Sequence, residues 1–175
     1  QNKLLLNLYI SSDKLFTIIN DILDFSKIES GQFNLEKTDI SIEEIIRRVY
    51  GSQEYKAEEK NIRLVYSTDP GIDPILSGDP VRLQQVFVNL VNNAIKFTHQ
   101  GSIDFRYRLI NNELEFCIQD TGIGISHDSL NKVFDRFSKL NTESDRFYEG
   151  VGLGLTICKG NLDLLKGRIW IESET

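Results

Sequence analysis

The sequence has no methionine, one tryptophan, two cysteines and two histidines among its 175 residues. It also lacks any run of about 18 apolar residues and any charged-then-apolar leader, so neither a membrane span nor a signal peptide is predicted. Because an initiating methionine is missing, we expect the chain to be a fragment. The sequence leaves open whether a membrane anchor lies upstream of the chain.

The two cysteines and the net charge narrow the functional classes. Cys117 and Cys158 have no CxxC spacing and no histidine cluster nearby, which argues against a metal centre. We expect two buried free thiols, as in a reducing compartment. The formal net charge is −6, whereas non-specific nucleic-acid binding normally needs a basic face. An anionic ligand would therefore need local positive potential.

The first 30 residues carry the apolar stripe of an amphipathic helix that ends near Gly31. One helix cannot bury such a stripe alone, so we expect a second helix to cover it, from the longer protein or from another subunit. Packing on the domain that follows is the alternative. The stripe consists of Leu4, Leu5, Leu8, Leu15, Ile18, Ile19, Ile22 and Phe25.

The remaining residues mix helices with antiparallel strands, which predicts an α+β fold built as a two-layer sandwich. Ser41 to Glu44 form a capping box for one helix, and Asp79-Pro80 begins another. Asn111-Asn112 is typical of a tight hairpin turn. The predicted helices are Ile42–Glu59, Pro80–Phe97, Asp128–Asp135 and Gly152–Lys166, and the predicted strands are Ile62–Ser67, Ser102–Leu109, Glu113–Gln119 and Arg168–Glu172.

One face of the helix ending near Phe97 is polar, because Asn89, Asn93 and Lys96 are spaced by four and three. Amide oxygens are hard, neutral ligands for Mg²⁺, and a lysine can neutralise phosphate, so this face suits a metal-bound polyphosphate. A solvated stripe is the alternative. Three asparagines in five residues weaken it, since asparagine is a poor interior helix residue.

Asp120 follows an apolar strand and precedes Gly122 and Gly124, where the chain turns sharply and a ligand can approach the backbone. A carboxylate would repel phosphate but can accept a hydrogen bond from an amine. Adenine carries an amine where guanine carries an oxygen. The alternative is an ordinary Asp-x-Gly turn.

Gly150, Gly152 and Gly154 lead into a helix whose first N–H groups favour an anion. The pattern matches neither a Walker motif nor GxGxxG, and a helix-packing run is the alternative. Between the glycine motifs lie Phe134 to Phe137 and a polar stretch, 138–149. We expect this stretch to be a mobile lid over a nucleotide.

In this order the motifs resemble the ATP-binding catalytic domain of sensor histidine kinases, within the superfamily of Hsp90, DNA gyrase and MutL. The segments NLVNNAIKF, DTGIGI, VFDRF and GVGLGL are similar to the asparagine, first glycine, phenylalanine and second glycine boxes. Ile19 to Gly31 resembles the second helix of the dimerisation and phosphotransfer hairpin of hybrid kinases. The expected parts are residues 1–32 and 33–175.

The resemblance implies ATP and Mg²⁺ as cofactors. Asn93 would bind Mg²⁺ with Asn89 beside it, Lys96 would meet the phosphates, and Asp120 would accept from the adenine amine. The nucleotide-contacting set it implies is Asn89, Asn93, Lys96, Asp120, Gly122, Gly124, Ile125, Phe137, Gly150, Val151, Gly152, Leu153 and Gly154.

The resemblance also bears on the reaction. Relatives that hydrolyse ATP have a glutamate general base four residues before the metal-binding asparagine, and Asn89 stands there. Transfer of the γ-phosphoryl group to a histidine on an upstream helix outside this chain is therefore implied, with relay to a response-regulator aspartate. A cytoplasmic homodimer is implied as well. The alternatives are a gyrase- or Hsp90-type ATPase and a nucleotide-free dimerisation module.

Two smaller expectations concern individual residues. His127 lacks the sequence context of the phosphoacceptor histidine and lies between the glycine boxes, and His99 is expected to be solvated. Val151 and Glu149 stand where the family often has threonine and glycine. A modest affinity for ATP is therefore expected.

Overall fold

The computed structural model describes residues 2–32, 35–68, 75–136 and 152–174. Helices and strands alternate irregularly along the chain, as the α+β prediction requires. The elements are α1 (Asn2–Glu29), β1 (Thr38–Ser41), α2 (Ile42–Glu59), β2 (Ile62–Thr68), β3 (Ile75–Gly78), α3 (Pro80–Phe97), β4 (Gly101–Ile110), β5 (Glu113–Asp120), α4 (His127–Leu130) and α5 (Gly154–Leu164).

A three-stranded sheet has the order β2-β4-β5, with β4 parallel to β2 and antiparallel to β5. The β4–β5 hairpin turns at Asn111 and Asn112, whose φ angles of 51° and 64° are the left-handed conformation that asparagine tolerates. The predicted hairpin is confirmed. A second sheet pairs β1 with β3.

Helices α2 and α3 pack on the three-stranded sheet and form the core with it. The ring of Phe87 on α3 lies 5.0 Å from that of Phe105 on β4 and 4.9 Å from that of Phe116 on β5. Ile42, Ile46 and Val49 of α2 are fully buried. The layers of the predicted sandwich are therefore present, and α3 stands at their centre.

Both predicted N-caps are formed, and they fix where α2 and α3 begin. Ser41 Oγ accepts from Glu44 N at 3.3 Å. Asp79 Oδ1 accepts from Val81 N at 3.0 Å and from Arg82 N at 3.2 Å. These bonds satisfy N–H groups that have no partner within a helix.

Two predicted helices have other bounds in the structure, and two strands were not predicted. α4 ends at Leu130, because 131–136 close i→i+3 turns such as Asp135 N to Lys132 O at 3.0 Å. α5 begins at Gly154 and ends at Leu164, since Gly152 and Lys166 have φ of 77° and 61°, outside the helical range. β1 and β3 were not predicted, because four residues are too few to show an alternating pattern.

The predicted last strand, Arg168–Glu172, is wrong as a strand assignment. Burial does alternate there: Ile169 and Ile171 are half-buried, whereas Trp170 is exposed. Alternating burial needs only one face against the domain, but a strand also needs a ladder of backbone hydrogen bonds. The alternating sequence pattern indicates that one face packs against the domain, but it does not indicate a ladder of backbone hydrogen bonds.

The prediction of two buried thiols is half right. Both cysteines are free; Cys158 is fully buried, but Cys117 is only half-buried. Cys117 is on β5 opposite Arg106, whose Nη2 lies 3.8 Å from its sulfur. Because successive strand residues face opposite sides, Cys117 lies on the face away from Phe116 and the core.

The C-terminal half of α1 packs on the domain, whereas the apolar side chains described in its N-terminal half are exposed. A Cβ on Gly160 of α5 would lie 2.8 Å from Ile28 Cγ2, so the two helices approach closely. Asp24 Oδ2 accepts from Gln85 Nε2 at 2.7 Å and lies 3.4 Å from Arg82 Nη1. Further up the helix, Leu5, Leu8, Leu15, Phe16 and Ile19 are exposed. We expect a second helix to cover this exposed part of α1.

Candidate nucleotide site

The polar face of α3 is present as predicted. Asn89, Asn93 and Lys96 are all half-buried. The Lys96 ammonium lies 4.8 Å from the centre of the Phe97 ring. Asn89 Nδ2 is buried without a hydrogen bond. A freely solvated stripe would not bury an amide nitrogen, because buried polar atoms normally have a hydrogen-bond partner.

The glycine turn after β5 is bound to the end of α3. Asp120 is exposed, and its Oδ1 accepts from Gly122 N at 2.8 Å. Ile123 N donates to Phe97 O at 3.3 Å. A Cβ on Gly122 would lie 2.6 Å from Phe97 O, so only glycine fits. The Asp120 carboxylate and the polar face of α3 are thus parts of one rigid unit.

Two further contacts hold this turn in place. Thr121 Oγ1 accepts from Ser102 N at 3.0 Å, and Thr121 N donates to Ser102 O at 3.1 Å. Gly124 has φ 70°, and Ile125 N donates to Ser173 Oγ at 2.8 Å. Neither Thr121 nor Ser173 was singled out from the sequence, since a hydroxyl that bonds backbone carries no local pattern.

The start of α5 forms the other side of the site. Leu153 is buried, and among the described residues no side chain caps the helix. A Cβ on Gly154 would meet no described atom within 4 Å, so within the described residues the first turn borders open space. Uncapped N–H groups beside open space are suited to an anion.

Helix α5 packs against α3, which brings its first turn to the same side of the domain as the asparagines. Thr156 Oγ1 of α5 donates to Phe134 O at 3.1 Å, which links this helix to the phenylalanine motif. Arg136, within that motif, pairs with Glu29 and lies 4.9 Å from the centre of the Phe25 ring of α1. Phe137, Gly150, Val151 and the stretch 138–149 lie outside the described residues.

The C-terminal end of α3 is paired with a cation, although the net charge of the chain is negative. Lys60 Nζ donates to Ile95 O at 2.7 Å and to Lys96 O at 3.2 Å. A cation there offsets the negative end of the helix dipole. Lys60 was not predicted as part of the site, because it lies on the turn after α2, far away in sequence.

Behind the polar face, burial raises the pKa of the Cys158 thiol to about 12, with Asp21 adding to the rise and Asn89 opposing it. Burial also raises the pKa of Asp21, helped by Asp24. Cys158 therefore lies in a part of the α3–α5 contact that excludes solvent.

The donor set fits a nucleotide-bound Mg²⁺ better than a resident metal. Within the described ranges no cluster of three or more His, Cys, Asp or Glu side chains exists that would hold a metal. Neutral amide oxygens beside a lysine supply few ligands of their own. The first turn of α5, which no described side chain caps, leaves N–H groups that a ligand could complete.

Residues 78–175 match the family described as Histidine kinase-, DNA gyrase B-, and HSP90-like ATPase. The match covers more than half of the chain. The chain belongs to this family. The resemblance drawn from its four motifs is confirmed.

Curated relatives of this ATPase domain are sensor kinases. The Autoinducer 2 sensor kinase/phosphatase LuxQ of Vibrio cholerae is 36% identical over 168 residues. The sensor histidine kinase RcsC of Escherichia coli is 39% identical over 164 residues. Each alignment covers 94% of this chain but only 20% and 17% of the respective relative. The chain therefore spans about a fifth of the length of these relatives.

Solved structures agree on the fold. Full-length ShkA in complex with AMPPNP matches 95% of this chain and 34% of that one, with a TM-score of 0.82 and 28% identity. Histidine kinase ThkA in complex with the response regulator protein TrrA matches 91% and 43%, with a TM-score of 0.70 and 28% identity. The predicted α+β fold is confirmed.

None of the described helices is long and apolar enough to cross a membrane.

Proposed function

We propose that this ATPase domain binds Mg-ATP and donates the γ-phosphoryl group to a histidine on a helix upstream of the chain. The phosphoryl group would then pass to an aspartate of a response-regulator receiver domain. The observation that carries the proposal is the bond between Ile123 N and Phe97 O, at 3.3 Å, which ties the Asp120 turn to the helix that bears Asn93 and Lys96.

In this proposal Asp120 selects the base. Its Oδ1 is held by Gly122 N, and its other oxygen makes no hydrogen bond within the described part of the chain, so it can accept from the adenine amine. Guanine would present an oxygen to that carboxylate. Two acceptors facing each other cost binding energy, and ATP is therefore preferred over GTP.

Asn93 and Lys96 would hold the metal and phosphates, with Asn89 beside them and the N–H groups of Gly152 to Gly154 opposite. Mg²⁺, when bound with the nucleotide, neutralises charge on the phosphate oxygens. The chain's own residues position the donor and supply fixed dipoles. The roles proposed for Gly124, Ile125, Phe137, Gly150 and Val151 rest on their places in the family's boxes.

Phosphoryl transfer is favoured over hydrolysis by the side chain at position 89. An amide cannot take a proton from water as a carboxylate can. With no general base at this position, no carboxylate on α3 would take a proton from a water near the γ-phosphate, and the donor state would persist until an acceptor arrives. His127 is exposed at the start of α4, and we do not assign it as the acceptor.

The wider assembly follows from the same proposal. Residues 1–32 would form the second hairpin helix and residues 33–175 the ATP-binding domain. The exposed Leu5, Leu8, Leu15 and Phe16 on α1 fit a helical partner in a homodimer, because an uncovered apolar stripe favours association. The domain would work in the cytoplasm, whatever the longer protein does at a membrane.

Calorimetric titration tests the binding step. The purified chain is titrated with a non-hydrolysable ATP analogue and with the matching GTP analogue, each with Mg²⁺ and with EDTA. We expect binding of the adenine analogue only, and tighter binding with Mg²⁺. Equal affinity for both analogues would contradict the role proposed for Asp120. An absence of any binding would contradict the assignment of a nucleotide site.

The transfer step needs the longer protein. Its incubation with ATP labelled at the γ-phosphate should yield acid-labile, base-stable phosphohistidine. The chain alone should neither label itself nor turn over ATP. Steady hydrolysis by the chain would instead support an ATPase of the gyrase or Hsp90 type, and stable dimers without nucleotide binding would support an interaction module.

A further inference from the structure

A chain of side-chain hydrogen bonds joins α1, α3 and α5. Gln85 Nε2 of α3 donates to Asp24 Oδ2 of α1 at 2.7 Å, and Asn161 Nδ2 of α5 donates to Gln85 Oε1 at 3.1 Å. Arg82 Nη1 lies 3.4 Å from Asp24 Oδ2 and 3.0 Å from Gln85 Oε1, and it donates to both. Gln85 is therefore the middle link between α1 and α5.

The charged members of this chain fix the direction of both amides. A carboxylate can only accept a hydrogen bond, and a guanidinium can only donate one. Gln85 must therefore turn its NH₂ group to Asp24 and its oxygen to Arg82. Because that oxygen can receive only a donor, Asn161 must turn its own NH₂ group to Gln85. Reversing either amide would place two donors or two acceptors against each other.

The chain lies where such a mismatch would be costly. Asn161 is fully buried, and the side chains of Asp24 and Arg82 are each only 18% exposed. Water cannot readily replace a lost partner at such a place. Asn161 Oδ1 is buried without a hydrogen bond among the described residues. The bond from Asn161 Nδ2 to Gln85 is thus made although burial of the other end of this amide is unfavourable.

Apolar packing between α1 and α3 is incomplete beside this chain. A groove of about 490 Å³ lies between the two helices, and Leu23 and Val81, which line it, are exposed. Ile28 makes a close apolar contact, against Gly160 of α5. Apolar burial is non-directional, so it draws the helices together without selecting one orientation. The polar chain supplies the direction that the apolar contact lacks.

We propose that Gln85 is a positioning residue, whose amide selects one seating of α1 on the ATPase domain by presenting a donor to Asp24 and an acceptor to Asn161. If α1 slid by one turn, Lys27 would take the place of Asp24. Its ammonium, the Gln85 NH₂ group and Arg82 would then be donors without an acceptor. Selection of register is a known use of buried polar groups.

Two other contacts of α1 disfavour a slide in the opposite direction. Such a slide would bring the Asp21 carboxylate to the chain. It would also move Ile28 away from Gly160 and break the ion pair between Glu29 and Arg136. Under the proposed function, the seating of α1 would set where the upstream hairpin stands relative to the nucleotide, but the selection itself needs no nucleotide.

The test reverses the polarity of the chain and keeps its shape. In Gln85→Glu, a carboxylate faces Asp24 and the donor to α1 is lost. In the double variant Asp24→Asn/Gln85→Glu, the new amide on α1 can donate to the new carboxylate on α3, which still accepts from Asn161 and Arg82. The double variant also keeps the net charge. Gln84→Glu adds the same charge one position away and is the matched control.

Two measurements report the seating of α1. One is the NMR cross-peak between the Ile28 methyl groups and the Hα protons of Gly160. The other is hydrogen exchange of the backbone amides from Phe25 to Ile28, which reports how often this part of α1 opens. For Gln85→Glu we expect the cross-peak to weaken and these amides to exchange roughly ten- to hundredfold faster, the range for a lost hydrogen bond to a charged group.

The double variant should restore the cross-peak and most of the protection from exchange. Asp24→Asn alone should have a smaller effect than Gln85→Glu, because its amide can turn its oxygen to the Gln85 NH₂ group. Gln84→Glu should change neither measurement. In Gln85→Met, which removes both bonds, Asp24→Asn should give no rescue.

The double variant decides the outcome even if Gln85→Glu alone does not fold, since it should fold and seat α1 as the unchanged chain does. A loss of seating in the double variant as large as in Gln85→Glu or Gln85→Met would overturn the proposal. Full seating in Gln85→Glu would overturn it as well. If instead the unchanged chain binds no ATP analogue in calorimetry, the proposed function fails, while the result on seating stands.

Discussion

The two glycine segments of the site differ in how firmly the protein holds them. The turn at Gly122 is bonded on three sides, by Asp120, Phe97 and, through Thr121, by Ser102. The segment at Gly154 begins a helix that no described side chain caps, and no described atom lies within 4 Å of a Cβ placed on Gly154. One is complete before any ligand arrives, and the other leaves N–H groups for a ligand to satisfy.

This contrast matches what each end of a nucleotide demands. Reading a base requires an acceptor held at a fixed place, because a mobile one would tolerate the wrong ring. Phosphates can be gathered by dipoles and a cation with less precise geometry. Under the proposed function, the domain would be firmly held where it reads the base and open where it binds the phosphates.

The largest effect is expected at the rigid end, from Asp120→Asn. The amide oxygen can still accept from Gly122 N, but its NH₂ then faces the adenine amine, donor against donor. We expect the affinity for an ATP analogue to fall roughly ten- to hundredfold, the range for a lost hydrogen bond to a charged group. Calorimetry measures it. Asp128→Asn, on exposed α4, is the control and should bind normally.

Replacing one glycine in each segment tests directly whether the two segments are held differently. In Gly122→Ala the new Cβ meets Phe97 O at 2.6 Å, whereas in Gly154→Ala it meets nothing described within 4 Å. We expect Gly122→Ala to lower the free energy of unfolding by roughly 1–3 kcal/mol and Gly154→Ala to change it by less than about 0.5 kcal/mol. Urea denaturation measures both. Equal losses would show that the segments are held alike.

Removing the metal should affect only the open end. In EDTA the affinity for an ATP analogue should drop, while that for adenosine should not, because adenosine lacks phosphates. Asn93→Ala should reproduce the drop in Mg²⁺ and add little in EDTA. Asn92→Ala, whose side chain accepts from Lys56, is the neighbouring control. A metal effect on adenosine would contradict the division of the site.

The smallest effect is expected from Lys60→Met, which removes the cation at the end of α3. Its ammonium bonds to the carbonyls of Ile95 and Lys96, yet the side chain is exposed. We expect a loss of about 0.5 kcal/mol in the free energy of unfolding, shrinking in 1 M salt through screening. Thermal unfolding at two salt concentrations measures it.

Local chemistry explains which features were predictable from sequence. The caps at Ser41 and Asp79, the Asn111-Asn112 hairpin and the polar face of α3 depend on residues close together in the chain, and each was found. Thr121, Lys60 and Cys158 act across 19, 35 and 72 positions. No periodic pattern in the sequence indicates contacts between residues so far apart. The strand at Arg168–Glu172 failed for the related reason that ladder bonds are non-local.

Hydrogen exchange of backbone amides, with and without the Mg²⁺-bound ATP analogue, tests the division most directly. We predict that the Gly122 and Ile123 amides are already protected in the free domain and change little. The first-turn amides of α5, at Gly154 to Thr156, should exchange fast at first and slow at least tenfold on binding. Fast exchange at Ile123 in the free domain, or no change at α5, would contradict the account.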